Sequence, residues 1–244
     1  MKSDFYNCYQ PLRSFEEWRK LLIDPELHWK DGKSAKELVK YWADRNSMPL
    51  EFTRLFGDER VEIVFMFPEY QVSMPASGRN SSNDLYILAV TETGYSVIMI
   101  ESKAGESFDE LVSDWYKGKT KNTDHGKNAS NRLNAILCEL GLKKYANEPY
   151  IEIGRYRYQL FHRTLSAIKE AKRIKANNAV VIIQSFAKDP QSLDDFMGFV
   201  GLLIPNPSKQ VNKLIGPVEI DGIKLSFAWL NVSVEKGLNI NDMI

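Results

Sequence analysis

The chain has 244 residues, 43% of them hydrophobic, and balances 32 basic against 32 acidic side chains. That is enough apolar material for one large domain, or for two small ones, and the zero net charge says nothing for or against a nucleic-acid or membrane partner. No apolar run approaches the roughly 20 residues of a membrane span.

Residues 1–5 carry a charge but no apolar stretch follows, so a secretion signal is not expected. The expected location is the cytoplasm, where Cys8 and Cys138 are free thiols. His28, His125 and His162 stand at no zinc-binding spacing.

In chain order, three Ser-x-x-Glu signatures come first: Ser14 with Glu17, Ser34 with Glu37 and Ser107 with Glu110. In each, the serine caps an N–H of the first turn and the glutamate reaches back. They predict helices near 14–23, 34–45 and 107–117. Between the second and third lie three strands. The first runs over 61–67 and is stopped by Pro68. A polar loop over 76–83 leads to the second, over 84–90, and the Gly94 turn leads to the third, over 95–100. The short connection makes the last two an antiparallel hairpin. Val97 to Ile100 are apolar without alternation, the pattern of a strand buried on both faces. The segment 118–134, rich in Lys, Asn, Gly and Ser, is expected as a loop near the site. Helices follow over 131–140, ended by Gly141, and over 156–175. A buried strand over 179–184, a helix over 193–203 and a strand over 224–232 complete the order. Trp18, Trp29, Tyr41 and Trp42 are expected to pack the first helices on the sheet. The whole reads as an α/β protein with a mixed central sheet flanked by helices.

Charge is uneven along the chain. Residues 117–175 carry fourteen Lys and Arg against five acids, a local +9. Such a segment meets phosphates or is a solvated helical surface.

Of three [Asp/Glu]-x-Lys patterns, only Glu101-Ser102-Lys103 ends a buried strand. In a strand, i and i+2 share a face, so Glu101 and Lys103 project together. Asp84 opens the neighbouring strand of the hairpin and comes within reach of Glu101. Two carboxylates and an ammonium at a sheet end are costly unless something pairs them. Magnesium, or manganese, does so, and it also binds phosphate oxygens. The ensemble suits phosphodiester hydrolysis, with the metal as Lewis acid and the lysine as electrostatic aid. The bland alternative is a surface Glu101–Lys103 pair with Asp84 as a turn residue.

Asp84, a sixteen-residue gap and then Glu101-Ser102-Lys103 resemble the PD-(D/E)xK nuclease superfamily, the restriction-endonuclease-like fold. The order helix, three strands, helix, strand from Ser34 to Gln184 is similar to that core. Residues 27–35 and 158–163 resemble an uncharacterised bacterial branch of it. Asn83 stands where many members carry a proline. The resemblance implies Asp84 and Glu101 as metal ligands, with the Ser102 carbonyl facing the metal, and Lys103 as the catalytic lysine. It further implies Glu37 as a metal-side glutamate and Gln159 as a catalytic-helix glutamine. The chain is expected as a single domain over 1–244, with packing helices over 1–50, a nuclease-like core over 51–190 and a helix-and-strand extension over 191–244.

Two of these residues have other readings. Glu37 completes a capping box. Gln159 heads a polar helical stripe with His162, Arg163, Ser166 and Glu170, opposite Phe161, Leu165 and Ile168. That stripe either lines a phosphate-facing cleft, with Arg155, Arg157 and Arg163 as nucleic-acid contacts, or is a solvated face. The expected activity is metal-dependent hydrolysis of nucleic acid, DNA ahead of RNA, with a homodimer allowed. The alternative is a catalytically inert member of the fold that binds nucleic acid or a protein.

Overall fold

A computed structural model describes residues 14–22, 24–43, 48–76, 78–120 and 123–232. Cys8, residues 1–5, the 233–244 tail and the His125 side chain lie outside the described residues.

Six strands form one mixed open sheet: β1 (Glu62–Val72), β2 (Ser81–Thr91), β3 (Gly94–Lys103), β4 (Asn178–Ser185), β5 (Ile215–Ile220) and β6 (Ile223–Asn231). Their spatial order is β1-β2-β3-β4-β6-β5. The β1-β2-β3 part is an antiparallel meander, so the expected hairpin is present. β3, β4 and β6 run parallel, and β5 returns antiparallel on β6. Parallel neighbours need long crossovers. Helices α5 (Val112–Thr120), α6 (Thr123–Glu139) and α7 (Tyr158–Ile174) supply one, and α8 (Pro190–Leu203) lies in the other.

The two faces of the sheet are covered by different helices. Leu85, Ile87, Ile98, Ile100, Val180 and Ile182 pack on one face against Leu38, Tyr41 and Trp42 of α3 (Ser34–Ala43) and Phe52 of α4 (Leu50–Arg54). Trp42 donates its indole N–H to buried Gln184 at 3.0 Å, which ties α3 to the sheet. On the other face Tyr86, Met99, Val181, Ile183 and Trp229 meet Leu133 and Ile136 of α6, Phe161 and Leu165 of α7, and Phe196 and Phe199 of α8. Val97 to Ile100 are at most 1% exposed, as expected for a strand covered on both faces.

Several boundaries differ from the sequence expectation. Pro68 does not stop β1, which continues to Val72. β1 is an edge strand, where a missing N–H costs no ladder bond if it faces outward. Ser107 caps no helix: residues 104–110 are irregular and α5 starts at Val112. Ser14 does accept the N–H of Glu17, preceding a helix, α1, of only Phe15–Arg19, and a short α2 (Pro25–His28) follows. The expected loop over 118–134 is helical over most of its length, in α5 and α6. β5 was not anticipated.

Candidate active site

The carboxylates sit on adjacent strands at one level of the sheet. Leu85 pairs with Ile100, so the next position outward sets Asp84 opposite Glu101. Pro68 pairs with Leu85 and Tyr70 with Asn83, which sets Glu69 opposite Asp84. Glu69, Asp84 and Glu101 therefore form one rung across β1, β2 and β3. Strands lie about 4.8 Å apart, so the outer two positions are roughly 10 Å apart. Among the described residues no group of three or more His, Cys, Asp or Glu is disposed to hold one metal ion. A rung rather than a cage accounts for that.

Glu101 is buried and fully engaged. Its Oε1 accepts from Lys103 Nζ at 3.0 Å and from Gln159 Nε2 at 2.7 Å, and its Oε2 accepts from Arg163 Nε at 2.6 Å. Burial pushes the carboxyl up, but the Arg163 and Lys103 charges outweigh it and hold it below its ordinary value. Lys103 is also buried; its ammonium donates to Gln159 Oε1 at 3.3 Å and lies 5.0 Å from the Phe108 ring centroid. Burial favours the neutral amine, yet Glu101 and Asp84 raise its pKa overall.

Asp84 is held differently. The Ser102 N–H and hydroxyl both donate to its Oδ2, at 2.7 and 2.5 Å. Its Oδ1 accepts no hydrogen bond among the described residues. Burial, then the Glu101 charge, pushes its carboxyl up to about 6. Glu69 is raised further, to about 8, by burial and then by Asp84 and Glu101. Among the described residues its one acceptor contact is a long 3.5 Å bond from Ser82. Three carboxylates here face two cations, Lys103 and Arg163, and the shortfall in positive charge falls on Asp84 and Glu69. The sequence alone does not reveal Glu69, because Pro68 reads as the end of β1. The signal that finds it is register: an acid one residue past a proline, on the strand next to Asp84.

The polar stripe of α7 is not a solvated face. Gln159, Arg163, Ser166 and Glu170 are all buried. Ser166 Oγ donates to Asn83 Oδ1 at 2.8 Å, and Glu170 accepts from Tyr70 Oη at 3.0 Å and pairs with Arg173. Thus the stripe meets the polar ends of β1, β2 and β3 while Phe161, Leu165 and Ile168 enter the core.

The remaining expectations divide. Gln159 joins Glu101 and Lys103 as expected. Glu37 does not join them: α3 covers the opposite face, and the carboxylate accepts from Gly32 N–H and Lys40, both at 3.0 Å. The capping box thus closes on Gly32 rather than on Ser34. Ser102 anchors Asp84, a job the resemblance did not assign to it. Arg163 is bound inside on Glu101 rather than presented as a surface clamp. Arg157 pairs with Asp195 at 2.6 Å. Arg155 is exposed, lies over the Tyr156 ring and lines a separate pocket with Tyr145 and Leu202.

A cleft of about 1290 Å³ opens beside Arg163. Its wall includes Arg79, Ser82, Trp115, Lys119, Arg132 and His162, with Asp109 and Glu110 as the acidic members. This exceeds the usual 300–1,000 Å³ of a small-ligand pocket. The basic residues that line it come from the β1–β2 connection, α5, α6 and α7, so the cleft gathers charge that is scattered in sequence.

No helix among the described residues is long and apolar enough to cross a membrane. Comparison with curated proteins and with solved structures returns no match. A family model described as a domain of unknown function, DUF6946, matches residues 11–233, and the chain belongs to that family.

Proposed function

We propose that the protein is a metal-dependent phosphodiesterase of the restriction-endonuclease-like kind, acting on nucleic acid, with DNA ahead of RNA. The observation that carries this reading is the carboxylate rung Glu69–Asp84–Glu101 with Lys103 two residues beyond Glu101 on the same face, beside a basic cleft. The order of three antiparallel strands, helices and a parallel fourth strand also agrees with that fold.

The donor set fits a hard cation. Among the described residues Asp84 Oδ1 is unengaged and Glu69 has a single long contact, and both carboxyls are raised, first by burial and then by the neighbouring carboxylates. Magnesium needs only one or two carboxylates, since it keeps several waters. Asp84 is the first ligand in this reading, with Glu101 and Glu69 as its flanking acids. When bound, the cation would supply Lewis acidity and a more acidic water. Lys103 is held by Glu101 and Gln159 in a buried position, where an ammonium stabilises developing negative charge more strongly than in water. Arg163 fixes the Glu101 carboxylate in place.

One observation favours the inert-binder reading: both oxygens of Glu101 are already occupied by Lys103, Gln159 and Arg163. Cleavage of mixed DNA and RNA substrates in magnesium and then manganese separates the two. The enzyme reading expects metal-dependent cleavage that falls on the order of a hundredfold or more in Lys103→Ala. No cleavage by wild type, with salt-sensitive binding retained, would establish the binder instead.

A further inference from the structure

His162 lies outside the carboxylate rung and has no part in the chemistry proposed above. Its surroundings nevertheless decide which ring nitrogen carries the proton. Ser81 Oγ stands 2.9 Å from His162 Nδ1. The same oxygen accepts an N–H from Arg163 Nη1 at 3.1 Å. A guanidinium only donates, so one lone pair of Ser81 is taken. Ser81 is 1% exposed, and its hydroxyl hydrogen needs an acceptor. The one acceptor within reach among the described residues is His162 Nδ1. Nδ1 therefore accepts, and the neutral ring carries its hydrogen on Nε2. Burial, and then the Arg163 and Arg132 charges, keep the ring neutral by pulling its pKa well down.

Nε2–H makes no hydrogen bond among the described residues, and His162 is part-exposed and lines the cleft. Arg132, in the same wall, adds a fixed positive charge. Arg132 is 9% exposed; it donates from Nε to Tyr158 Oη at 2.8 Å and from Nη2 to the Arg79 carbonyl at 2.6 Å, while its buried Nη1 has no partner. Tyr158 is in turn stacked on Trp115, with ring centroids 4.0 Å apart. A fixed donor with nothing to donate to, in a wall that also holds the cations Arg79, Lys119 and Arg132, calls for an acceptor of negative charge.

We propose that this cleft contains a phosphate-binding subsite in which His162 donates from Nε2–H and Arg132 supplies the charge. The ligand is a phosphate group, borne by a nucleic-acid strand or free. The subsite needs neither metal nor the carboxylate rung, so it stands whether or not the chain cleaves.

Two measurements on the full chain in EDTA test it. The first is the long-range ¹⁵N–¹H spectrum of the histidine rings. The expected result is a neutral His162 with its proton on Nε2, whose Nε2 resonance moves when inorganic phosphate or a short single-stranded oligonucleotide is added. A proton on Nδ1, or an Nε2 resonance that neither probe moves, would overturn the proposal. The second is binding affinity of both probes. His162→Phe should weaken it about tenfold or more, since a hydrogen bond to a charged group is lost. His162→Gln, which can place an amide N–H near the Nε2 position, should restore part of it. Equal affinity in wild type and a folded His162→Phe would also overturn it. Tighter binding of the oligonucleotide than of inorganic phosphate identifies the strand as the source, and equal binding identifies the free ion; either supports the subsite.

Discussion

Arg163 donates its Nε–H to Glu101 Oε2 at 2.6 Å across a contact in which both side chains are buried. The pair joins α7 to the end of β3 and sets the position of the carboxylate around which Lys103 and Gln159 are arranged. Removing one partner of such a pair leaves a buried charge with less compensation, which typically costs 3–5 kcal/mol. Arg163→Met should therefore lower Tm by roughly 6–20 °C, at about 2–4 °C per kcal/mol for a chain of this size. The double change Arg163→Met with Glu101→Gln should recover much of the loss. Thermal melts of the two variants check this, and a double variant no better than the single would show that the loss is one of packing rather than charge.

Glu69 predicts a pH effect of definite sign. Its carboxyl is raised from about 4.5 to about 8, first by burial and then by Asp84 and Glu101. Between those values the folded chain holds a proton that the unfolded chain has lost. Stability therefore falls as pH rises through this window, by up to about 1.4 kcal/mol per unit. Asp84 adds the same trend over the lower range, up to about 6. Glu69→Gln removes the Glu69 part. In EDTA the Tm difference between Glu69→Gln and wild type should grow in the variant's favour from pH 5 to pH 8. Parallel Tm curves would show that Glu69 ionises normally.

Most of this site was legible because it rests on short-range rules. Alternation along a strand places Glu101 and Lys103 together, and a tight hairpin brings Asp84 to them. What was not legible depends on sheet position and burial, which no local pattern carries. Pro68 reads as a strand terminator unless β1 is known to be an edge strand, and with β1 cut short Glu69 disappears from the rung. Gly216 and Pro217 hid β5 in the same way: the register shifts between Ile215 and Val218, so no alternation survives there. The stripe of α7 has the composition of a solvated face, and only the polar residues Ser81, Asn83 and Tyr70 on neighbouring strands make it an interior one. Glu37 went the other way. A helix ahead of the sheet can cover either face, and α3 covers the face away from Glu101.

The redistribution of charge changes which residues a nucleic acid would meet. Arg155 is exposed but lines a pocket separate from the cleft, Arg157 is paired with Asp195, and Arg163 is committed to Glu101. Lys119 is exposed and lines the cleft. If a strand occupies the cleft, Lys119→Glu should weaken binding and reduce the slope of log K against log salt by about one or more. Arg155→Glu should leave both nearly unchanged. Filter binding across a salt series distinguishes them, and a larger effect from Arg155 would move the interface off the cleft.

The burial and mutual repulsion that raise Asp84 and Glu69 predict how metal acts on stability. Without a cation, Asp84 and Glu69 repel Glu101 and each other across adjacent strands, and the penalty grows as they ionise. A divalent ion bound at Asp84 removes that penalty and binds only the folded chain, so it stabilises in proportion to its occupancy. Saturation at a hundred times Kd corresponds to about 2.7 kcal/mol, or roughly 5–11 °C in Tm. The shift should be larger at pH 8 than at pH 5, because protons compete with the cation for the same oxygens. Asp84→Asn should abolish it, whereas Lys103→Ala should keep it, since Lys103 carries no metal oxygen. The measurement is Tm against magnesium and manganese concentration for wild type and both variants at the two pH values. An equal shift in Asp84→Asn would place the cation elsewhere on the protein. A shift that is absent in wild type but appears in Arg163→Met would mean that the arginine holds the rung closed to metal, and would favour the inert binder over the enzyme.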